Sequence, residues 1–213
     1  MIIIWVIVSI IALAAVITVH EASHAWMADR LGDPTARLMG RLSLNPLVHY
    51  DPIGSTLLLG LIIMSTLGAP VVPFGWAKPV PIDPYNLKNP RKDSAIISLA
   101  GPLSNLVLAL IFSILGRFMP FLIPFIVPFI KLNVALAIFN LIPIHPLDGG
   151  KILIGILPKK YAYEFDNFLN RFGTILLILL ILPSFGGSSF ISSFISPVIN
   201  IFLFILIPQI PIV

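Results

Sequence analysis

Residues 2–24 read IIIWVIVSIIALAAVITVHEASH: an uncharged run from Ile2 to Val19 leads straight into His20-Glu21-Ala22-Ser23-His24. A membrane span needs roughly 20 mainly apolar residues at ~1.5 Å rise each, and this run nearly supplies one alone. It lacks a basic n-region and a small-residue cleavage site, so it reads as a retained helix and not as a secretory signal. Histidines four apart on a helix lie on one face, one turn apart, where both imidazoles can reach one metal ion. Glu21, next to the first histidine, falls beside the metal's open position. There a carboxylate can take the proton of a metal-activated water as it attacks a carbonyl.

Chance is a poor account of this pattern. With four His and two Glu in 213 residues, shuffling produces it on the order of once in two thousand sequences. Counting back from Asp29 and Arg30 places His20 ~15 Å inside the polar boundary. Ionisable groups at such depth are costly and usually functional.

The rest of the chain fits a bilayer. It is 58% hydrophobic and 10% charged, with a mean hydropathy of +1.04, whereas soluble domains carry about 25% charged residues. Further uncharged stretches cover 52–77, 94–116, 132–147, 172–185 and 188–213. The expected fold is an all-α polytopic membrane protein with about five full transmembrane helices, a re-entrant segment and short interfacial β-strands. It forms a single domain over 1–213, with a catalytic core over about 1–157 and C-terminal helices over about 168–213. Alternation in Gly40 to Pro46 predicts one short strand, and the proline-rich stretch 74–84 around Trp76 predicts extended backbone that pairs with it. Pro120, Pro124 and Pro128 predict a turn between two spans, the next helix restarting at Asn133 to Ile142.

The chain has no cysteine, so any metal must use His, Asp or Glu. The net charge of +4 comes from 13 Lys and Arg scattered between hydrophobic stretches. None forms a run dense enough to track nucleic acid, and anionic lipid is the better partner.

A catalytic zinc commonly uses three protein ligands, and two histidines leave it one short. Glu164 sits in a polar loop. Asp148 ends an apolar stretch in Asn140-Leu141-Ile142-Pro143-Ile144-His145-Pro146-Leu147-Asp148-Gly149-Gly150, where prolines and glycines unwind the backbone and let a carboxylate turn towards a metal. Asp148 is therefore the expected third ligand, the alternative role being a cap on a short helix from Gly149. His145 has three candidate roles: partner of Asp148, gate residue or alternative ligand. His49, in a polar loop, is a weaker ligand candidate.

With these residues in place the sequence resembles the site-2 protease family of intramembrane zinc metalloproteases. The likeness rests on His20 to His24, on Ala100-Gly101-Pro102-Leu103-Ser104-Asn105 and on Asn140 to Gly150, in that order. Gly40 to Asp51, Gly54 and Gly75-Trp76-Ala77-Lys78-Pro79 are similar to a bacterial or archaeal branch, and together these cover most of 18–155. The resemblance implies Zn2+ held by His20, His24 and Asp148, with Glu21 as general base. It implies Asn140 near the substrate carbonyl or oxyanion, a helix–helix hydrogen bond being its alternative role. It also implies close packing of the Gly101 to Asn105 stretch on the catalytic helix. Family members often carry an added regulatory domain; none fits in the polar segments here, and a minimal form is therefore expected.

Shared ligation by His20, His24 and Asp148 requires one depth, hence an even number of crossings between them. Stretches 94–116 and 132–147 supply two, so 52–77 must re-enter and return, or form a hairpin. Eleven of the 13 basic residues then face the cytoplasm, leaving Arg117 and Lys131 outside. The expected function is endopeptidase cleavage of transmembrane protein substrates, by a multi-pass protein of the cell membrane in a prokaryote. The alternatives are a membrane metal transporter or metal-binding protein, and a catalytically inactive scaffold.

Overall fold

In the computed structural model, which describes residues 2–69, 71, 75–181 and 190–208, the apolar run and the histidine motif form one unbroken helix, α1 (Ile2–Arg30). Its polar side chains do not break it, because Thr18 and Ser23 donate to the carbonyls of Ala14 and Val19 one turn back. The short α2 (Thr35–Leu38) and a 3₁₀ turn, Pro46–His49, lead to α3 (Gly54–Thr66). Then come α4 (Pro90–Phe118), α5 (Ile123–Asn140), α6 (Asp148–Ile156), α7 (Lys159–Ile181) and α8 (Phe190–Leu206).

Every fourth residue of α1 from Ala12 to Ala28 is buried: Ala12, Val16, His20, His24 and Ala28. The facing row of α4 repeats at the same interval, with Ile97, Gly101, Asn105, Ala109 and Ser113. Rows of this spacing interdigitate, and small residues in them let two helix backbones approach closely. The α5 helix completes the bundle, burying Ile126, Ile130, Asn133, Val134 and Ala137. At the far end Ala109, Ile126, Ile130, Val134 and Leu206 of α8 make an apolar core.

Three stretches are long and apolar enough to cross a bilayer: α1, α4 and Pro120–Asn140. The chain is an integral membrane protein, but the described residues supply three such spans and not about five. With 13 residues, α3 rises only ~20 Å against a ~30 Å hydrocarbon core. Five charged residues, Lys159, Lys160, Glu164, Asp166 and Arg171, occupy the first part of α7. The apolar part of α8 is also short of a span. Residues 182–189 and 209–213, on which parts of two expected spans fall, lie outside the described residues.

Two local expectations are corrected. The α5 helix starts at Ile123 and not at Asn133. Pro124 falls in its first turn, where a missing N–H is no loss, and only Pro128 lies inside the helix. No strand forms among the described residues, including Gly40 to Pro46 and the described part of 74–84. Pro79, Pro81 and Pro84 have no N–H to give a ladder. Instead a single backbone bond, Lys78 N–H to His49 O at 2.9 Å, joins the second segment to the 3₁₀ turn that follows the first. The buried Arg41 guanidinium clamps them by donating to the carbonyls of Val48, Lys78 and Pro79.

The segment after α3 returns to where that helix began. A Cβ added at Gly54 would lie 2.5 Å from the Trp76 ring, so indole and backbone are in direct contact. The Ser55 hydroxyl also donates to Trp76 O at 3.2 Å.

Candidate active site

Three helices bring the expected ligands together. His20 Nε2 lies 3.2 Å and His24 Nε2 3.3 Å from the same oxygen of Asp148, Oδ2, and the two Nε2 atoms are 3.1 Å apart. Asp148 heads α6, and the C-terminal end of that helix is seated on α4. Gly155 lies directly on Ala95, leaving no room for a Cβ, and Arg91 donates to the carbonyls of Ile154 and Leu157. The Asp148 carboxylate turns towards the histidines, so its role is not confined to the helix start.

The far side of each imidazole decides what the near side offers. His24 Nδ1 lies 2.7 Å from Ile97 O, and a carbonyl only accepts, so Nδ1 carries the proton. His20 Nδ1 lies 2.6 Å from Asn105 Oδ1 and is likewise the donor. Both Nε2 lone pairs therefore point at each other and at a carboxylate. Three electron-rich atoms at this separation call for a cation between them. A tetrahedral centre with bonds of ~2.0–2.1 Å has ligand–ligand edges of ~3.3 Å, close to the spacings seen. The donor set, two neutral imidazoles and one carboxylate, is one that holds a catalytic divalent metal such as zinc. Among the described residues it is the one such cluster.

Gly101 makes the geometry possible. A Cβ there would lie 2.6 Å from His24 Cε1 and 2.7 Å from His20 Cε1, so the α4 backbone itself backs the imidazole pair. This fulfils the expectation that the Gly101 to Asn105 stretch packs closely on α1.

The cluster opens on a cleft of about 410 Å³ lined by His20, Glu21, His24, Asn140, Asp148 and Lys151, with apolar walls from Ile17, Leu58, Trp76, Val80, Phe139 and Leu177 among others. Glu21 is half-buried on this cleft. Asn140 lines it too, with one amide hydrogen donated to Leu136 O of its own helix at 3.1 Å. The return segment 75–77 forms part of the wall, as expected of 52–77; Pro70 and residues 72–74 lie outside the described residues. Just outside the spans, burial pulls the Arg41 guanidinium below its ordinary pKa, and the nearby Glu21 carboxylate pulls it back up.

The other candidates lie elsewhere. His145 pairs with Asp166 of α7 at 3.2 Å and is not in the metal-ligating group. His49 is fully buried, its Nε2 donating to Ser43 O at 2.8 Å. Glu164 is exposed on α7. Sequence reasoning missed the roles of Ile97 O, Asn105 and Asn133, and the presence of Lys151 in the cleft. Asn105 stood inside a noted motif, and its fixed distance from Gly101, one helical turn, was the available signal.

A buried pair of oriented imidazoles with a carboxylate ligand and a second carboxylate alongside defines a metal-dependent hydrolase class. Comparison with known proteins agrees. The profile of peptidase family M50 matches residues 8–122 and 119–180. YwhC of Bacillus subtilis (strain 168), provisionally named a zinc metalloprotease, is 35% identical over 190 residues, covering 84% of this chain and 81% of its own. Rip2 of Mycolicibacterium smegmatis (strain ATCC 700084 / mc(2)155), also provisionally named a zinc metalloprotease, is 36% identical over 177 residues, 78% of this chain and 63% of its own. Zinc metalloprotease MJ0392 of Methanocaldococcus jannaschii (strain ATCC 43067 / DSM 2661 / JAL-1 / JCM 10045 / NBRC 100440) is 32% identical over 99 residues, 45% of this chain and 29% of its own. The chain thus spans less than two thirds of the latter two relatives. No solved structure matches it. The chain belongs to peptidase family M50, the site-2 protease family.

Proposed function

We propose that this protein is a zinc-dependent endopeptidase that hydrolyses peptide bonds within or near transmembrane segments of other membrane proteins. One observation carries the reading: the His20, His24 and Asp148 ligand atoms converge beside Glu21 in a mainly apolar cleft, on a helix long enough to span a bilayer. The names of the relatives support zinc as the metal.

His20, His24 and Asp148 would hold the zinc, which when bound supplies Lewis acidity and brings the pKa of a water towards ~7. The Glu21 carboxylate is placed to take a proton from the water that adds to the peptide carbonyl and to pass it to the departing amide nitrogen. The second amide hydrogen of Asn140 is free to donate to the substrate carbonyl oxygen, an interaction worth a few kcal/mol when it strengthens as negative charge develops. A substrate helix keeps its own backbone paired in lipid, so it must open before it can react. The return segment suits the opened form. Ala77 and Val80 line the cleft, and among the described residues their backbone groups are unpaired, ready to hold an extended chain.

The site lies towards the C-terminal end of α1, near the cytoplasmic face of the cell membrane in a prokaryote, with 52–77 entering and leaving on that same side. A transporter would need successive sites along a path, and the described residues hold one metal-ligating cluster.

The test is cleavage of a transmembrane peptide panel by purified protein in bilayer discs. Zinc-loaded wild type cuts; Glu21→Gln keeps its zinc and does not. Cutting that survives both this substitution and a zinc chelator would overturn the reading. Cysteine labelling, easy in a chain without cysteine, checks the topology: Gly60, whose Cβ direction is open, and Lys78 should label from the cytoplasmic side or not at all. Labelling of Lys78→Cys from the outer face overturns the re-entrant arrangement.

A further inference from the structure

The bond from His20 to Asn105 is the first link of a longer chain. Asn105 Nδ2 lies 3.2 Å from Val16 O and 2.9 Å from Asn133 Oδ1, and Asn133 Nδ2 lies 2.8 Å from Phe129 O. Both asparagines are fully buried, at 0% exposure. Val16 O and Phe129 O are helix carbonyls that only accept, so they fix the orientation of both amides. With both Nδ2 hydrogens spent, Asn105 Oδ1 can only accept from His20. The chain therefore has one direction, and it joins α1, α4 and α5.

On α5, Asn133 is flanked by apolar side chains: Ile130, Val134 and Ala137 are buried beside it. Apolar contacts tolerate small slides and rotations of a helix. A buried amide pair does not, since leaving either group unsatisfied costs roughly 1–3 kcal/mol. Seven residues further along α5, two turns on and close to the same face, stands Asn140 at the cleft.

We propose that Asn105 and Asn133 are positioning residues that hold His20 in its metal-binding tautomer and seat α5, so that the metal ligand and Asn140 reach the cleft in register. The proposal rests on the zinc-protease reading above. Asn105 acts mainly on the metal. Asn133 acts mainly on Asn140, because without Asn133 the amide of Asn105 still has Val16 O.

Two readouts separate these roles: metal affinity with the visible spectrum of cobalt-loaded protein, and the kinetics of peptide cleavage. Asn105→Leu should lower zinc affinity ~10–100-fold, the usual scale for partners that orient a metal's ligands, and shift the cobalt bands. If that variant does not accumulate, Asn105→Ala carries the same expectation. Asn133→Val should leave zinc affinity within about threefold and lower kcat at nearly constant KM. Its effect should disappear in an Asn140→Ala background, as expected of coupled residues. Wild-type affinity and an unchanged cobalt spectrum in both Asn105 variants would overturn the first half. Effects of Asn133→Val and Asn140→Ala that multiply would overturn the second. If wild type binds metal but cuts no peptide, the protease reading falls, while the affinity and spectral results still decide the role of Asn105.

Discussion

The two ends of the α1, α4 and α5 bundle are built on different principles. At the metal end, helices meet through directional contacts: Gly101 against two imidazoles, Ile97 O and Asn105 on the histidines, Arg91 on the end of α6. At the far end Ala109, Ile126, Ile130, Val134 and Leu206 pack with no polar contact among them. One end specifies atomic positions, and the other supplies adhesion. Hydrogen bonds set distances to a few tenths of an ångström, whereas apolar packing in a medium as apolar as itself mainly fills space. Substitutions at the first end should change chemistry, with stability changing only as metal or a buried hydrogen bond is lost, and those at the second should change stability and leave chemistry as it was.

The largest effect should follow removal of a ligand. His24→Ala or Asp148→Ala should bring zinc content close to zero by elemental analysis, with cleavage below detection and the helical circular-dichroism signal unchanged. Next comes Glu21→Gln, which should keep the metal and lower kcat by ~10²–10⁴-fold, the range for a positioned acid–base group. Gly101→Ala sharpens the comparison, because it keeps all three ligand residues and alters only the backbone surface they rest on. The added methyl should displace both imidazoles and weaken zinc ~10–100-fold in a chelator competition. Ile130→Ala tests the other end. It should lower the thermal midpoint while zinc affinity and kcat stay at wild-type values. Its cost should fall below the ~2–5 kcal/mol of a soluble core, since lipid replaces part of the lost contact. A fall in kcat to match the fall in stability would break the division.

The smallest effect belongs to a loop that serves neither end. Buried Asp33 accepts from Thr35, Asn86 and the Asp83 backbone. Burial alone would raise its pKa, but the bonds from Thr35 and Asn86, and then those from the backbone of Asp83 and Thr35, hold it below the ordinary carboxylate value. A depressed folded pKa means stabilisation fully present above pH ~3.9 and lost as pH falls through the lower folded value. Asp33→Asn should cost ~1–2 kcal/mol at pH 7 in a denaturation series and flatten the acid limb below pH ~4.

The division also separates what was legible in the sequence from what was not. The His20 to His24 spacing and the apolar run before it are local and periodic, and they gave α1 and its metal-binding face directly. Asp148 was reachable because the chain has few acids to choose from. Of the histidines' partners, Ile97 O was not reachable, because it lies 73 residues from His24 and nothing local marks a carbonyl as an acceptor, while Asn105, 85 residues from His20, was marked only by its place one turn beyond Gly101. Prolines misled in one place and informed in another. Pro124 was read as a break, although a proline in a first helical turn costs nothing. The prolines of 79–84 did signal extended backbone, but they also removed the donors a strand pair needs, and Arg41 took over the joining. His145 found its partner, Asp166, on a helix whose orientation no sequence pattern reported.

The span between His24 and Asp148 has one more consequence. A metal held by both closes a loop of about 120 residues, and it does so in a chain with no cysteine. Thermodynamically this is a cross-link. By disulfide reckoning a loop of that size would withhold on the order of 4–5 kcal/mol of disorder from the unfolded chain, an upper figure where a bilayer already confines the helices. The fastening is reversible and answers to free metal. As zinc becomes scarce, α6 loses its tie to α1, while the hydrogen bonds among α1, α4 and α5 stay closed. Metal supply therefore sets how firmly the two halves of this site are joined, as well as whether it can react.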